Sequence, residues 1–165
     1  MGDPTAEWSD VSGRRVRLAT VDDAEILAHH RAAMFRDMGD VDDLGASVIE
    51  NSSADHLKAL VESREYFGFL LEENGEIIAG GGVWVRPVLP RPGMLHGALE
   101  GYVLNVYTEP GHRRRGLARE VMREILDWCR HRQLARVVLH ASKDGRSLYE
   151  ELGFEVSNEY RLTLG

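Results

Sequence analysis

Residues 106–118 read Val106-Tyr107-Thr108-Glu109-Pro110-Gly111-His112-Arg113-Arg114-Arg115-Gly116-Leu117-Ala118. A strand-like run ends at Pro110-Gly111, and a strongly amphipathic helix begins within a few residues. In that helix Leu117, Val121, Ile125 and Cys129 recur at every fourth position, and Ala118, Met122 and Leu126 form the adjacent row. Arg119, Glu120, Arg123, Glu124 and Asp127 fall on the remaining face. The first N–H groups of a helix lack intrahelical acceptors and sit at the positive end of its dipole. A strand, a turn and a helix start in this order can therefore wrap backbone N–H groups around a phosphate. Gly116 lets an anion approach the backbone and Ala118 keeps the next turn slim. Arg113, Arg114 and Arg115 add forked donors suited to phosphate oxygens. The segment reads as a diphosphate cradle. Leu117-Ala118 stands where a P-loop requires Lys followed by Ser or Thr, which sets a nucleoside triphosphatase aside. No strand leads into Gly-x-Gly-x-x-Gly, so a dinucleotide-binding fingerprint is missing as well.

Working outward from the cradle, Glu100–Thr108 is the strand that feeds it and Arg115–Arg132 the helix that leaves it. Ala135–Ala141 is a nearly continuous apolar strand, expected to be buried on both sides. Asp144–Leu152 is a short helix stopped by Gly153, and Phe154–Leu164 alternates as a final strand. Towards the N-terminus, Tyr66–Leu71 and Ile77–Val85 are strands around Asn74-Gly75, the strongest short hairpin signal. Gly80-Gly81-Gly82 inside the second of them implies a close approach to its backbone. Arg86–Gly97, with Pro87, Pro90, Pro92 and Gly93, reads as an irregular loop. Residues 1–12 read as a lead-in, and Arg14–Ala19 as a half-buried strand. A helix follows from Val21, with Thr20 as its cap and Asp23 as partner. Its apolar row is Ile26, Leu27, His30, Met34 and Met38, and Gly39 ends it. Residues 40–55 read as an acidic loop and Ala54–Ser63 as a second helix. The order is β-α-α-β-β-β-α-β-α-β.

At 165 residues the chain suits one domain, over 13–165. Its 20 Lys and Arg against 27 Asp and Glu give a net charge of −7, which disfavours a globally basic nucleic-acid binder. Arg113–Arg115 also lack the aromatic interleaving of a single-strand binder. No apolar run approaches the roughly 20 residues of a membrane span, so no membrane partner is expected. Residues 1–12 lack a signal-peptide pattern, and a cytoplasmic location is expected. The single cysteine, Cys129, excludes an intrachain disulfide and any Cys-x-x-Cys site. His29 and His30 point about 100° apart on a helix and no His-Glu-x-x-His is present, so no metal site is expected.

Arg113-x-x-Gly116-x-Ala118, opening a helix after Asn105-Val106-Tyr107-Thr108, resembles the acetyl-CoA signature of the GCN5-related N-acetyltransferases. Ser147-Leu148-Tyr149-Glu150-Glu151-Leu152-Gly153-Phe154 is similar to that family's LYxxLGF stretch near the C-terminus. The element order also matches, from about residue 13 to the end. The resemblance implies an α+β fold: a central mixed, mostly antiparallel sheet of six or seven strands, about four flanking helices, and a V-shaped split between strands four and five. It implies acetyl-CoA as co-substrate, with the pyrophosphate on Arg113, Arg114, Arg115, Gly116, Leu117 and Ala118. The pantetheine arm would then lie along Val106, Tyr107 and Thr108.

Acetyl transfer needs a neutral amine, a stabilised oxyanion and a protonated leaving thiolate; a thiol of pKa about 8.5 leaves with modest help. By resemblance Tyr149 is the acid and Glu100 the base, with His140 and His96 as runners-up. The bare sequence leaves Tyr149 readable as a core tyrosine, Glu100 as a solvated strand entrance and His140 as a hydrogen-bonded core histidine. The family's asparagine after the fifth strand is missing, since none stands between Val106 and Ser157. Ser142 or Ser147 substitutes for it loosely. The acceptor would be set by residues 29–55 and 86–99. Asp37, Asp40, Asp42 and Asp43 would favour a cationic amine there, and Tyr66, Phe67, Trp84 and Tyr102 are candidates to line the slot.

The expectation is an N-acetyltransferase acting by direct attack on the primary amine of a small molecule. Two other readings share these residues: a catalytically silent acyl-CoA sensor, and a protein or peptide N-acetyltransferase. Exposed edges at a sixth strand would offer a way to pair two subunits as a homodimer.

Overall fold

The computed structural model describes residues 13–93, 95 and 98–164. The expected lead-in over 1–12 and His96 lie outside the described residues. The chain forms β1 (Arg14–Leu18), α1 (Ala24–Asp37), α2 (Asp43–Glu62), β2 (Tyr66–Glu73), β3 (Glu76–Val88), β4 (Ala98–Thr108), α3 (Leu117–His131), β5 (Arg136–Leu139) and α4 (Arg146–Glu151). Single 3-10 turns precede α1 (Val21–Asp23) and α3 (Pro110–His112). The sheet runs β1-β2-β3-β4-β5, antiparallel as far as β4 and parallel between β4 and β5.

Two apolar layers sandwich this sheet. On one face α3 contributes Leu117, Val121, Met122, Ile125, Trp128 and Cys129 against Phe69, Leu71, Ile78, Val83 and Val103. On the other, Leu27 and Ala28 of α1 and Leu57 of α2 meet Tyr66 and Leu70. The turn between β2 and β3 uses Asn74 and Gly75 at φ 53° and 82°, the double left-handed geometry that an Asn-Gly hairpin supplies. Thr20 opens the first helical turn, its N–H donating to Asp23 Oδ2 at 2.7 Å.

The glycine run of β3 has a definite purpose. A Cβ on Gly82 would stand 2.0 Å from the Tyr66 hydroxyl oxygen, and one on Gly80 would stand 2.9 Å from His30 Nδ1. The close approach implied by the sequence is made by the protein's own buried side chains.

Four sequence expectations are corrected. Helix α2 begins at Asp43, not near Ala54, because Asp42 caps it by accepting from the Gly45 N–H at 2.8 Å. Its first turns pack small residues inward, with Ala46 buried and Leu44 and Val48 exposed, so no large apolar face marks them. Strands β3 and β4 run on into the expected loop, pairing Arg86 with Glu100 and Val88 with Ala98. Strand β5 is shorter than expected, and its Val137, Val138 and Leu139 are only half-buried, as suits an edge strand. Finally, residues 154–164 lie outside the sheet, which has five strands among the described residues. Val156, Tyr160, Leu162 and Leu164 are all at least 80% exposed. Alternation specifies a face, but a strand also needs a partner for its N–H and C=O groups.

Candidate active site

The site is built where β4 outruns its neighbour. The last β4–β5 pair is Val103 with Leu139, so beyond it the β5-facing edge of β4 is open as far as Thr108. This is the V-shaped split expected between strands four and five. Next to its apex β4 carries a bulge. The β3 register jumps from Gly80–Tyr107 to Gly82–Leu104, and Asn105 takes a left-handed φ of 59°. The extra residue re-aims a side chain. Asn105 is buried, with Oδ1 accepting from Arg31 at 2.8 Å and Nδ2 donating to the Tyr66 hydroxyl at 3.2 Å. Burial pushes the Tyr66 phenol up to about 12, so it keeps its proton.

The cradle follows at the open end of β4. Arg114 and Gly116 both adopt left-handed backbone, at φ 61° and 77°. Gly116 is the residue preceding α3, and no side chain caps the helix there. The unpaired N–H groups of its first turn therefore remain available. A Cβ on Gly116 would meet nothing within 4 Å, so the space in front of these donors is open. Residues Arg113–Ala118 thus fit a pyrophosphate.

The five arginines divide their work. Arg113 pairs with Asp37 at the end of α1, and its Nε donates to the Thr108 carbonyl at 3.0 Å. Arg115 forks onto Glu73 of β2 at 2.6 and 3.0 Å, and Arg119 pairs with Glu151 of α4. Arg114 and Arg123 are exposed and are not among the cradle's ion pairs.

Tyr149 and Glu100 do not come together. Tyr149, on α4, is half-buried, stacks edge-on against Phe154 at 5.9 Å and packs on the α3 side of the sheet. Burial raises its phenol above the ordinary tyrosine value. Glu100 sits at the closed end, where β4 and β5 are still paired, and is 3% exposed. It accepts from Arg86 Nε at 2.7 Å and from Arg136 Nε. Burial would raise its carboxyl, but the two guanidiniums outweigh it and hold the group below the usual range. A carboxylate so engaged ties β3, β4 and β5 together and is ill-placed to accept a proton in the split. Ser142 is likewise engaged, its Oγ accepting from the Gly145 N–H at 3.1 Å.

The acidic loop is also largely committed: Asp37 holds Arg113, Asp42 caps α2, and Asp43 stands 3.9 Å from Arg36. A different acidic recess, of about 370 Å³, opens between the start of α1 and α2, lined by Asp22, Asp23, Glu25, Ile26, His29 and Glu50. His29 links it to the split, with Nε2 3.1 Å from Glu109, the residue after β4. Of the aromatic candidates, Tyr66 is core and Phe67 stacks on Trp128 at 4.4 Å. Trp84 and Tyr102 are paired across β3 and β4 on the face opposite α3. His140, read as a core histidine, is instead exposed just past β5 and bonded to Tyr102. Among the described residues no cluster of His, Cys, Asp or Glu could hold a metal ion. No described helix is long and apolar enough to cross a membrane.

His30, read as part of an apolar row, is fully enclosed with neither ring nitrogen hydrogen-bonded. Burial, aided by neighbouring His29, pushes it down to about 4, so it is neutral beside Glu109 at 3.6 Å. The unfolded chain takes up this proton near the ordinary histidine value and the folded chain only near 4. Stability therefore falls with decreasing pH through that window, by about 1 kcal/mol per pH unit. His30→Met removes the titrating group, and urea titrations between pH 6.5 and 4 should show a shallower loss than in wild type. Equal slopes would show that His30 takes no part.

The chain matches the model of the acetyltransferase (GNAT) family over residues 22–154. It is similar to a GCN5-related N-acetyltransferase from Ralstonia eutropha JMP134, with 33% identity, a TM-score of 0.84, and coverage of 92% of this chain and 99% of that one. A predicted acetyltransferase from Clostridium acetobutylicum, solved with acetyl-CoA, is 26% identical at a TM-score of 0.78, covering 92% and 96%. An aminoglycoside acetyltransferase from an uncultured soil metagenomic sample, 16% identical at a TM-score of 0.67 with coverage of 92% and 99%, shares the fold. Among curated proteins none matches.

Proposed function

Because this chain belongs to the acetyltransferase (GNAT) family, as an acetyl-CoA-dependent N-acyltransferase, we propose that it acetylates the primary amine of a small molecule by direct attack in a ternary complex. The observation that carries this reading is the uncapped α3 N-terminus at Gly116 beside the open edge of β4. The first offers N–H donors to a pyrophosphate. The second offers N–H and C=O groups to the amides of a pantetheine arm, as a neighbouring strand would. The two are contiguous along the chain, so one extended molecule can engage both.

The acceptor side supports a small cationic amine. The acidic recess that reaches the split through His29 is of small-molecule size. Asp23 is held by Arg17, and the remaining carboxylates of Asp22, Glu25 and Glu50 attract an ammonium group by Coulomb forces. On the opposite side of the sheet, packed in the α3 layer, Tyr149 is the acid assigned here to the departing sulfur. Its role is to protonate the thiolate as the C–S bond breaks.

Tyr149→Phe keeps the ring against Phe154 and removes only the hydroxyl. Turnover should fall about 10²-fold, the lower range for loss of a general acid. Thiol release measured over a panel of primary amines gives the rate, and calorimetry with acetyl-CoA gives the affinity, which should not change. Undiminished turnover would return Tyr149 to a packing role. A wild-type protein that binds acetyl-CoA and releases no thiol with any amine would make it a sensor.

A further inference from the structure

Three side chains from three separate segments meet at the apex of the split. Tyr102 lies on β4, one residue before the last β4–β5 pair, and His140 is the first residue after β5. The Tyr102 hydroxyl is 2.6 Å from His140 Nδ1, and His140 Nε2 is 3.3 Å from Glu159 Oε1. A carboxylate only accepts, so Glu159 calls for the hydrogen on Nε2. Nδ1 is then the acceptor and the Tyr102 hydroxyl the donor. The phenol oxygen is left with lone pairs free to take a proton from elsewhere.

This group lies on the face of the sheet that carries α1, α2 and the proposed acceptor recess. Val103 points into the α3 layer and Leu104 into the α1–α2 layer, so alternation places Tyr102 with Leu104, opposite α3. Tyr149 packs on the α3 side. The two proton-transfer groups thus flank the split from opposite faces, one for the nucleophile and one for the leaving group. The charged groups around the apex are Arg86 from β3, 4.9 Å from the Tyr102 ring centre, Glu100 from β4, Arg136 from β5 and Glu159 from the tail. Glu100 holds both arginines, so its ion pairs also set the guanidinium over the phenol.

We propose that Tyr102 is the catalytic base, taking a proton from the attacking amine while its own hydrogen passes to His140, which Glu159 holds in position. This rests on the acetyl-transfer reading of the same split. The neutral amine nitrogen forms a bond to the thioester carbonyl carbon, and the carbon–sulfur bond breaks. One amine hydrogen goes to the Tyr102 oxygen and the Tyr102 hydrogen goes to His140 Nδ1. The resulting imidazolium faces Glu159 through Nε2–H. The sulfur takes its proton from Tyr149, and exchange with water resets both ends. His140 and Glu159 are positioning residues, since only Tyr102 touches the amine.

The test uses the full chain, wild type and the variants Tyr102→Phe, His140→Gln and Glu159→Gln, with three readouts. Long-range ¹⁵N spectra of the ligand-free protein should show His140 as the Nε2–H tautomer, and Glu159→Gln should weaken that preference. The kcat/KM for the best amine of the panel should fall about 10²-fold in Tyr102→Phe, within the range for loss of a general base. In His140→Gln the kcat for that amine should fall about 10²-fold with its KM unchanged, a split that a merely structural residue would not cause. Acetyl-CoA affinity by calorimetry should stay within about twofold throughout, a change of under 1 kcal/mol. An Nδ1–H tautomer, or a wild-type kcat in His140→Gln, overturns the relay while leaving acetyl transfer standing. A wild-type protein that does not bind acetyl-CoA overturns the transfer reading, and the relay falls with it.

Discussion

Gly116→Glu should lower acetyl-CoA affinity by at least about 10³-fold, because each tenfold is 1.4 kcal/mol and like charges a few ångströms apart near a protein surface cost several. The new carboxylate would project into the open space before the first N–H groups of α3, where nothing stands within 4 Å. It would compete for donors that a pyrophosphate needs and repel its charge. The backbone adds a second effect, since Gly116 is left-handed at φ 77° and any side chain there is strained by about 1–2 kcal/mol. Gly116→Ala separates the two. It carries the strain without the charge, so calorimetry should find most of the affinity retained. If Gly116→Glu binds within threefold of wild type, the pyrophosphate is not held here.

The second large effect concerns stability. Gly82→Ala would put a methyl group 2.0 Å from the Tyr66 oxygen and 2.2 Å from its Cζ, inside a core where Tyr66 is 1% exposed. Neither can yield freely, because Tyr66 is held by Asn105 and the glycine lies within a paired strand. Overpacking of this severity should cost about 3 kcal/mol or more. For a chain of this length that is a fall in Tm of about 10 °C. Tyr66→Ala empties the contested space, so Gly82→Ala should cost far less on that background. Additive losses across the double-mutant cycle would show that the two do not collide.

The cradle was legible because its signals are local. Gly116 marks a left-handed turn, and the two rows from Leu117 to Cys129 mark the helix that the turn opens. Other parts depend on partners far along the chain. Arg113, Arg115 and Arg119 look like a free basic run, yet their carboxylates lie 76, 42 and 32 residues away. The bulge at Asn105 turns on the sign of one backbone angle. An asparagine inside an apolar strand, being tolerant of left-handed backbone, is the only trace it leaves. The first turns of α2 carry no large apolar row, because Gly45 and Ala46 pack by being small. Residues 154–164 show the converse: a strand pattern in the letters, without a neighbour to pair with. His140 obeys the same physics. An apolar run suggests burial, but the end of an edge strand has neighbours on one side only.

The Asp37, Glu73 and Glu151 ion pairs act together on the loop they share. They reach it from α1, β2 and α4, and so fix the Arg113–Arg119 backbone from three directions in the ligand-free protein. Each is a surface pair of small individual worth. Together they settle a question of heat and disorder: a segment already immobilised has little conformational entropy left to lose when a ligand arrives. The ordering is thus completed during folding, and the donors meet their anion already aligned.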